Sequence, residues 1–189
     1  MSTKTAKKQV KNKIVEFYGR EILNPPPVIE EEKEIFDRID KEWFRDNCIL
    51  DIGYSMGFWP MFLSYKAGLR GWVYALEADD SNCASIMNTS ADCVNGSPIA
   101  ILNDSRKPDL FNLPKIDFLR IGEKGWENIQ RCDTTIYKNR SRVLVKVADP
   151  KEEESITVWA QSHNYPFEVL KNDHVRYLYV QPNGIPPRV

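Results

Sequence analysis

Residues 47–60, NCILDIGYSMGFWP, constrain the chain more tightly than any other stretch. Cys48, Ile49, Leu50 and Ile52 form a short apolar run of strand type. Asp51 stands near its end, and Gly53 and Gly57 bracket a tight turn before Phe58–Leu69, which can be helical. A glycine directly after a buried strand can take a positive φ, and its missing Cβ lets another group approach the backbone closely. Strand, glycine turn and helix start together form the place where α/β proteins hold a nucleotide-like ligand against backbone N–H groups, although glycines at strand ends also serve plain turns.

A second stretch narrows the choice. Residues 71–76, GWVYAL, read as another buried strand, and it ends on an acidic residue, Glu77. In mononucleotide-binding α/β units a carboxylate at the tip of the second strand accepts hydrogen bonds from ribose hydroxyls. Two glycines, a helix and a strand-terminal carboxylate in this order arise by chance less often than either part alone.

The 189 residues suffice for one α/β domain with a sizeable core and not for two. A formal net charge of -1, with 28% charged residues, gives no global pull toward nucleic acid or an anionic membrane. Cys48, Cys83, Cys93 and Cys132 show no C-x-x-C spacing and no histidine nearby, so a reduced compartment and no metal are expected. No apolar h-region follows the N-terminal lysines, and no apolar run reaches transmembrane length. A soluble, cytoplasmic protein is the expectation.

Ahead of the glycine turn, residues 1–46 read as an N-terminal helical extension broken at Pro25, Pro26 and Pro27. Lys7–Leu23 has the pattern of a basic amphipathic helix, with Val10, Ile14, Phe17, Tyr18 and Ile22 on one face. That face could dock on the domain, on a second copy or on a partner, or act as a membrane-surface arm. From Ile29 to Arg45 helical periodicity resumes, with Ile35, Ile39 and Trp43 in one row. The run Glu30–Glu32 in its first turn reads as a solvated cap favoured by the helix dipole.

From Asn47 strands and helices alternate, which predicts a mostly parallel sheet with helices on both faces. The expected order is strand 47–52, helix 58–69, strand 71–77, helix 80–90, strand 98–102, strand 116–121, helix 125–139, strand 142–148 and helix 152–163. An antiparallel pair, Phe167–Leu170 and Val175–Val180, turns at Asn172 and Asp173. This domain spans residues 47–180, and the Pro-rich residues 181–189 read as a loose tail.

Three motifs carry a resemblance. DIGYSMGFW is similar to the glycine motif of class I S-adenosylmethionine-dependent methyltransferases, in particular the FkbM type, whose pattern is Asp-Val-Gly-Ala-Asn-x-Gly and two aromatics. Asp51, Gly53, Gly57, Phe58 and Trp59 keep it, while Tyr54 and Ser55 replace Ala and Asn. VYALEADDSN, residues 73–82, resembles the family's strand ending in Phe-Glu-Pro. LPKIDFLRIGEKGWENI, residues 113–129, resembles Ile-Asp-Phe-Ile-Lys-Ile-Asp-Val-Glu-Gly-Ala-Glu and keeps Ile116, Asp117, Phe118, Ile121, Gly125 and Glu127.

This resemblance implies a Rossmann-like class I methyltransferase sheet with a C-terminal antiparallel hairpin, S-adenosyl-L-methionine as cofactor and a small-molecule acceptor such as a sugar or lipid. It places Gly53, Tyr54, Ser55 and Gly57 at the methionine part of the cofactor, with Asp51 ordering that loop. Glu77 would hold the ribose hydroxyls and Asp104, or its neighbour Asn103 or Ser105, the adenine amino group. Among the residues themselves Glu123 is the first candidate for a catalytic base, ahead of His163 and His174, with a solvated loop carboxylate the alternative. Trp126, Trp59, Tyr54 and Phe58 could line an aromatic pocket, with core packing the alternative for Trp59 and Phe58. Arg120 and Lys124 could orient an anionic acceptor, although a charge beside a strand end usually faces solvent.

Two departures count against full activity: Gly122 stands where the family has Asp, and the segment between the third and fourth strands is short. A catalytically degenerate relative with a binding, assembly or regulatory role is therefore the alternative. A dinucleotide-dependent enzyme is disfavoured, because the first glycine of G-x-G-x-x-G is absent.

Overall fold

The computed structural model describes residues 14–18, 20–23, 25–42, 44–53, 56–90, 96, 98–102, 113 and 115–182. It opens with an antiparallel pair, β1 (Ile14–Phe17) and β2 (Arg20–Leu23), followed by α1 (Pro27–Glu31) and α2 (Lys33–Asp40). Then come β3 (Cys48–Ile52), α3 (Phe58–Ala67), β4 (Trp72–Leu76), α4 (Asp80–Ser90), β5 (Ile99–Leu102) and β6 (Phe118–Ile121). α5 (Gly125–Asn139), β7 (Arg142–Lys146), α6 (Pro150–Ser162), β8 (Phe167–Lys171) and β9 (Arg176–Val180) complete the order.

The sheet runs β5-β4-β3-β6-β7-β9-β8, parallel except where β9 pairs antiparallel with β7 and β8. Strand order reverses between β3 and β6. Outside the carboxyl ends of the strands at such a reversal, an open α/β sheet leaves a crevice for ligand. Asn172 closes the β8–β9 turn, as its residue type suggested: its side-chain oxygen accepts from the backbone N–H groups of His174 and Val175, both at 2.9 Å.

Alternation along the strands divides the interior into two layers. Ile49, Val73, Phe118, Leu144, Tyr177 and Tyr179 face one side, where α3 lies. Leu50, Ile52, Leu119, Ile121, Val143 and Val145 face the other, under α5 and α6. Helix α3 is apolar nearly all round because it is a middle layer, with the sheet beneath it and the N-terminal segment above. Phe36 of α2 stacks on Trp59 of α3 with ring centroids 4.4 Å apart, and Phe17 of β1 meets Phe36 edge-on at 5.1 Å.

The helical reading of Lys7–Leu23 is corrected over its described part, since Ile14–Phe17 and Arg20–Leu23 form strands; residues 7–13 and 19 lie outside the described residues. The β-branched pair Ile14 and Val15 suits a strand. Period-2 alternation leaves Ile14 exposed and buries Phe17. A left-handed Tyr18, φ +46, turns the chain back as a short hairpin requires. The acidic run is corrected as well: Glu32 is not a solvated cap but is 1% exposed at the α1–α2 junction.

Candidate functional site

Asp51, Gly53, Gly57, Glu77 and Glu123 all sit at or just beyond the carboxyl edge of β3, β4 and β6. Gly53 takes φ +98 and Gly57, directly before α3, takes φ +81. A Cβ on Gly53 would stand 2.7 Å from Glu123 Cγ, so only a bare backbone fits between the β3 turn and the β6 exit. Asn128, a buried residue of α5, donates from Nδ2 to the Glu123 carbonyl at 2.9 Å and so fixes the backbone at Glu123. Lys124, next in line, has φ +47, a left-handed conformation for a residue other than glycine.

Glu77 is 7% exposed. Its Oε1 accepts from the backbone N–H groups of Ala78 at 2.7 Å and Asp79 at 2.9 Å, which aims the carboxylate across the tip of β4. Its Oε2 is buried and has no hydrogen-bond partner among the described residues. A buried charged acceptor left unpaired is costly, and a ligand hydroxyl is the kind of group that would satisfy it.

Beneath the Gly53 turn lies a buried ionic group that the sequence reading missed. Arg120, read as a charge that orients an anionic acceptor or faces solvent, is corrected: it is 1% exposed and points inward from β6. Its Nη1 donates to Asp51 Oδ1 at 3.0 Å and to the Gly53 carbonyl at 3.1 Å, and its Nη2 donates to the Tyr177 hydroxyl at 3.4 Å. The guanidinium lies 5.0 Å from the centre of the Trp59 ring. Tyr177 donates to Glu32 at 2.9 Å, and Glu32 also accepts from Trp59 Nε1 and from Lys146 Nζ at 2.8 Å. One sign was available: Arg120 shares an inward face with Phe118, and a buried cation needs a counter-charge.

Burial pushes the Asp51 carboxyl up to about 6; Arg120 pulls against this shift, and Glu32 and Glu77 add to it. Burial also favours the neutral acid at Glu32, but Arg120, Lys146 and Trp59 outweigh it and hold this carboxyl below its ordinary value. Burial raises Tyr177, whose hydroxyl therefore stays protonated and able to donate. Burial opposes the charge on Arg120, yet Asp51, Tyr177 and Glu32 keep it a cation.

Tyr54, Ser55 and Asp104 lie outside the described residues. Trp59 is fully buried and Phe58 is 7% exposed, so both pack the core. Trp126 packs against the layer under α5 and α6, and its backbone N–H donates to Glu152 Oε1 at 2.8 Å. His163 caps the far end of α6, about 20 Å along a helix that starts at this edge, and so stands apart from the site. His174 is in the β8–β9 turn, where with Lys146, Asp149, Glu153, Lys171 and Arg176 it borders a cavity of about 460 Å³ beside the carboxyl end of β7. Among the described residues no cluster of three or more His, Cys, Asp or Glu could hold a metal ion, and no helix is long and apolar enough to cross a membrane.

No protein-family model matches the chain, and no curated protein matches it in sequence. Solved structures do resemble it. Fibrillarin from Aeropyrum pernix, in complex with natively bound S-adenosyl-L-methionine, superposes with a TM-score of 0.65 at 13% identity, covering 93% of this chain and 84% of that one. Precorrin-6y C5,15-methyltransferase from Geobacter metallireducens gives 0.64 at 15% identity, over 80% of this chain and 87% of that one. A SAM dependent methyltransferase from Aquifex aeolicus gives 0.59 at 14% identity, over 84% and 93%. What is shared at these identities is the fold, the Rossmann-like, mostly parallel sheet of methyltransferases.

Proposed function

We propose that this chain is an S-adenosyl-L-methionine-dependent methyltransferase of FkbM-like pattern, acting on an oxygen of a small acceptor such as a sugar or lipid. The observation that carries the reading is the buried Oε2 of Glu77 at the tip of β4, which has no hydrogen-bond partner among the described residues. It stands one strand from a positive-φ glycine turn at the point where the sheet order reverses. The fold shared with a fibrillarin that binds S-adenosyl-L-methionine adds support.

When bound, the cofactor supplies a methyl group activated on a sulfonium, and the chain's own residues bind, orient and manage a proton. The turn from Gly53 to Gly57, with Tyr54 and Ser55 between them, would hold the methionine part. Glu77 would accept from the ribose hydroxyls, and Asp104 would meet the adenine amino group. Glu123, packed against Gly53, would take the proton that an acceptor hydroxyl loses. The cavity bordered by Lys146, His174 and Arg176, at the same edge, has a volume suited to a small acceptor.

Calorimetric titration tests the cofactor assignment. S-adenosylhomocysteine is expected to bind and NAD is not, and the absence of binding by S-adenosylhomocysteine at millimolar concentration overturns it. A second reading, a catalytically degenerate protein that keeps the fold for binding or assembly, is favoured by one observation. The acidic residue expected at 122 is a glycine, and the guanidinium of Arg120 occupies the space its side chain would need.

A further inference from the structure

The Gly53 carbonyl belongs to the turn that the proposed function gives to the cofactor, yet its hydrogen-bond donor comes from the middle of the fold. Arg120 Nη1 reaches that carbonyl at 3.1 Å while holding Asp51 at 3.0 Å, so one guanidinium nitrogen ties the end of β3 to the start of the turn. Arg120 is itself held. Its Nη2 donates to Tyr177, Tyr177 donates to Glu32, and Glu32 is delivered by the α1–α2 junction. Trp59 beneath the guanidinium also donates to Glu32. The chain of contacts runs from the N-terminal segment to the turn without leaving the interior.

We propose that Arg120 is the positioning residue of Gly53, where the turn begins, and that Glu32 fixes Arg120, so that the N-terminal segment sets the ligand affinity of a site formed by other elements. The inference rests on the cofactor reading only for the identity of the ligand. The bareness of Gly122 fits it independently: a Cβ there would stand 2.5 Å from Cζ, Nη1 and Nη2 of Arg120, so the guanidinium holds its place only beside a glycine.

Hydrogen exchange measured by mass spectrometry on the full chain tests the proposal, with wild type, Arg120→Lys, Arg120→Met and Glu32→Gln compared. Exchange in peptides covering Gly53–Gly57 is expected to quicken by about tenfold or more in Glu32→Gln and Arg120→Met, with peptides of α5 and α6 unchanged. Arg120→Lys, which keeps a cation but loses the two-handed grip, should fall between. Affinity for S-adenosylhomocysteine should drop by about tenfold in Glu32→Gln.

A pH series adds a readout that a merely structural role would not move. Asp51 faces Arg120 from β6, Glu32 from the α1–α2 junction and Glu77 from the tip of β4, with Tyr177 of β9 and Lys146 of β7 reaching it through those groups. After correction for intrinsic exchange, turn protection should weaken in wild type as pH falls through about 6, where Asp51 takes a proton. That step should vanish in Arg120→Met.

Unchanged turn exchange in Glu32→Gln and Arg120→Lys overturns the proposal, as does quickening spread evenly over the chain. Should Arg120→Met fail to fold, Glu32→Gln and Arg120→Lys decide. If wild type binds no S-adenosylhomocysteine, the cofactor reading falls, while the exchange contrast still judges the positioning role.

Discussion

The guanidinium of Arg120 and a side chain at position 122 exclude one another: a Cβ on Gly122 would lie 2.5 Å from three of the guanidinium atoms. Arg120 lies on β6 and Gly122 just beyond its end, and the arginine is held where it is, 1% exposed and bonded to Asp51, Gly53 and Tyr177. The bare backbone at 122 and the buried guanidinium two residues earlier are therefore structurally coupled.

Gly122→Asp is therefore expected to destabilise the protein by about 1–3 kcal/mol, the range for overpacking, and not to restore a carboxylate to a ready place. Urea unfolding measures this. Combined with Arg120→Ala, the same substitution should cost less than the sum of the two alone, a coupling of about 0.5–3 kcal/mol. Additive effects would show that the two positions do not compete for space.

Asp51 gives stability a pH dependence of defined sign. Its folded carboxyl titrates near 6, above the ordinary 3.8, so between these values the folded state binds more protons than the unfolded one. The stability contributed by Asp51 is then fully present below pH about 4 and lost as pH rises through about 6. Glu32, held below its ordinary value, acts in the opposite sense: its contribution is present above the ordinary carboxylate range and is lost as pH falls. Denaturant unfolding of wild type and Asp51→Asn across this range should show wild type losing stability relative to the variant as pH rises. A parallel pair of curves would rule out the shift.

Phe36 measures how far the N-terminal segment belongs to the core. It is 1% exposed and packs on Trp59, on Phe17 at 5.1 Å and on Phe62 at 5.2 Å. Phe36→Ala should cost about 3–5 kcal/mol in chemical denaturation. A loss below about 1 kcal/mol would mean that the segment is an appendage whose removal the sheet tolerates.

The order of elements from β3 to β9 was legible because apolar strand runs alternate with longer stretches bounded by turn residues, α3 nearly all apolar and α5 amphipathic. The places of the candidate carboxylates were legible for a related reason, since Asp51 is the last residue but one of β3, Glu77 directly follows β4 and Glu123 stands two residues beyond β6. What escaped was tertiary. Glu32 sits in an acidic run that looks like a helix cap, and its burial depends on Trp59, Tyr177 and Lys146, residues far along the chain. Ile14–Phe17 and Arg20–Leu23 place apolar residues at spacings that suit a helix or a hairpin, and the local sequence alone did not decide between them. Arg120 could have been suspected from its inward register, but its role required knowing that Gly122 leaves space for it.

Glu77 offers the sharpest test of the site itself. Its Oε1 is committed to the Ala78 and Asp79 N–H groups, while Oε2 is buried and without a partner among the described residues. Glu77→Gln can keep the first pair of bonds through its amide oxygen, so the local backbone should hold and the melting temperature should stay within about 3 °C. At the other position the change is severe, because a charged acceptor becomes an amide donor facing ligand hydroxyls. Hydrogen bonds to a charged group are worth about 1.5–3 kcal/mol each. Affinity for S-adenosylhomocysteine should therefore fall by about 10- to 150-fold, read by isothermal titration calorimetry. Adenine, which lacks the ribose, should show no such loss. Equal affinities of wild type and Glu77→Gln for S-adenosylhomocysteine would remove Glu77 from the ligand site and, with it, the observation on which the cofactor assignment chiefly stands.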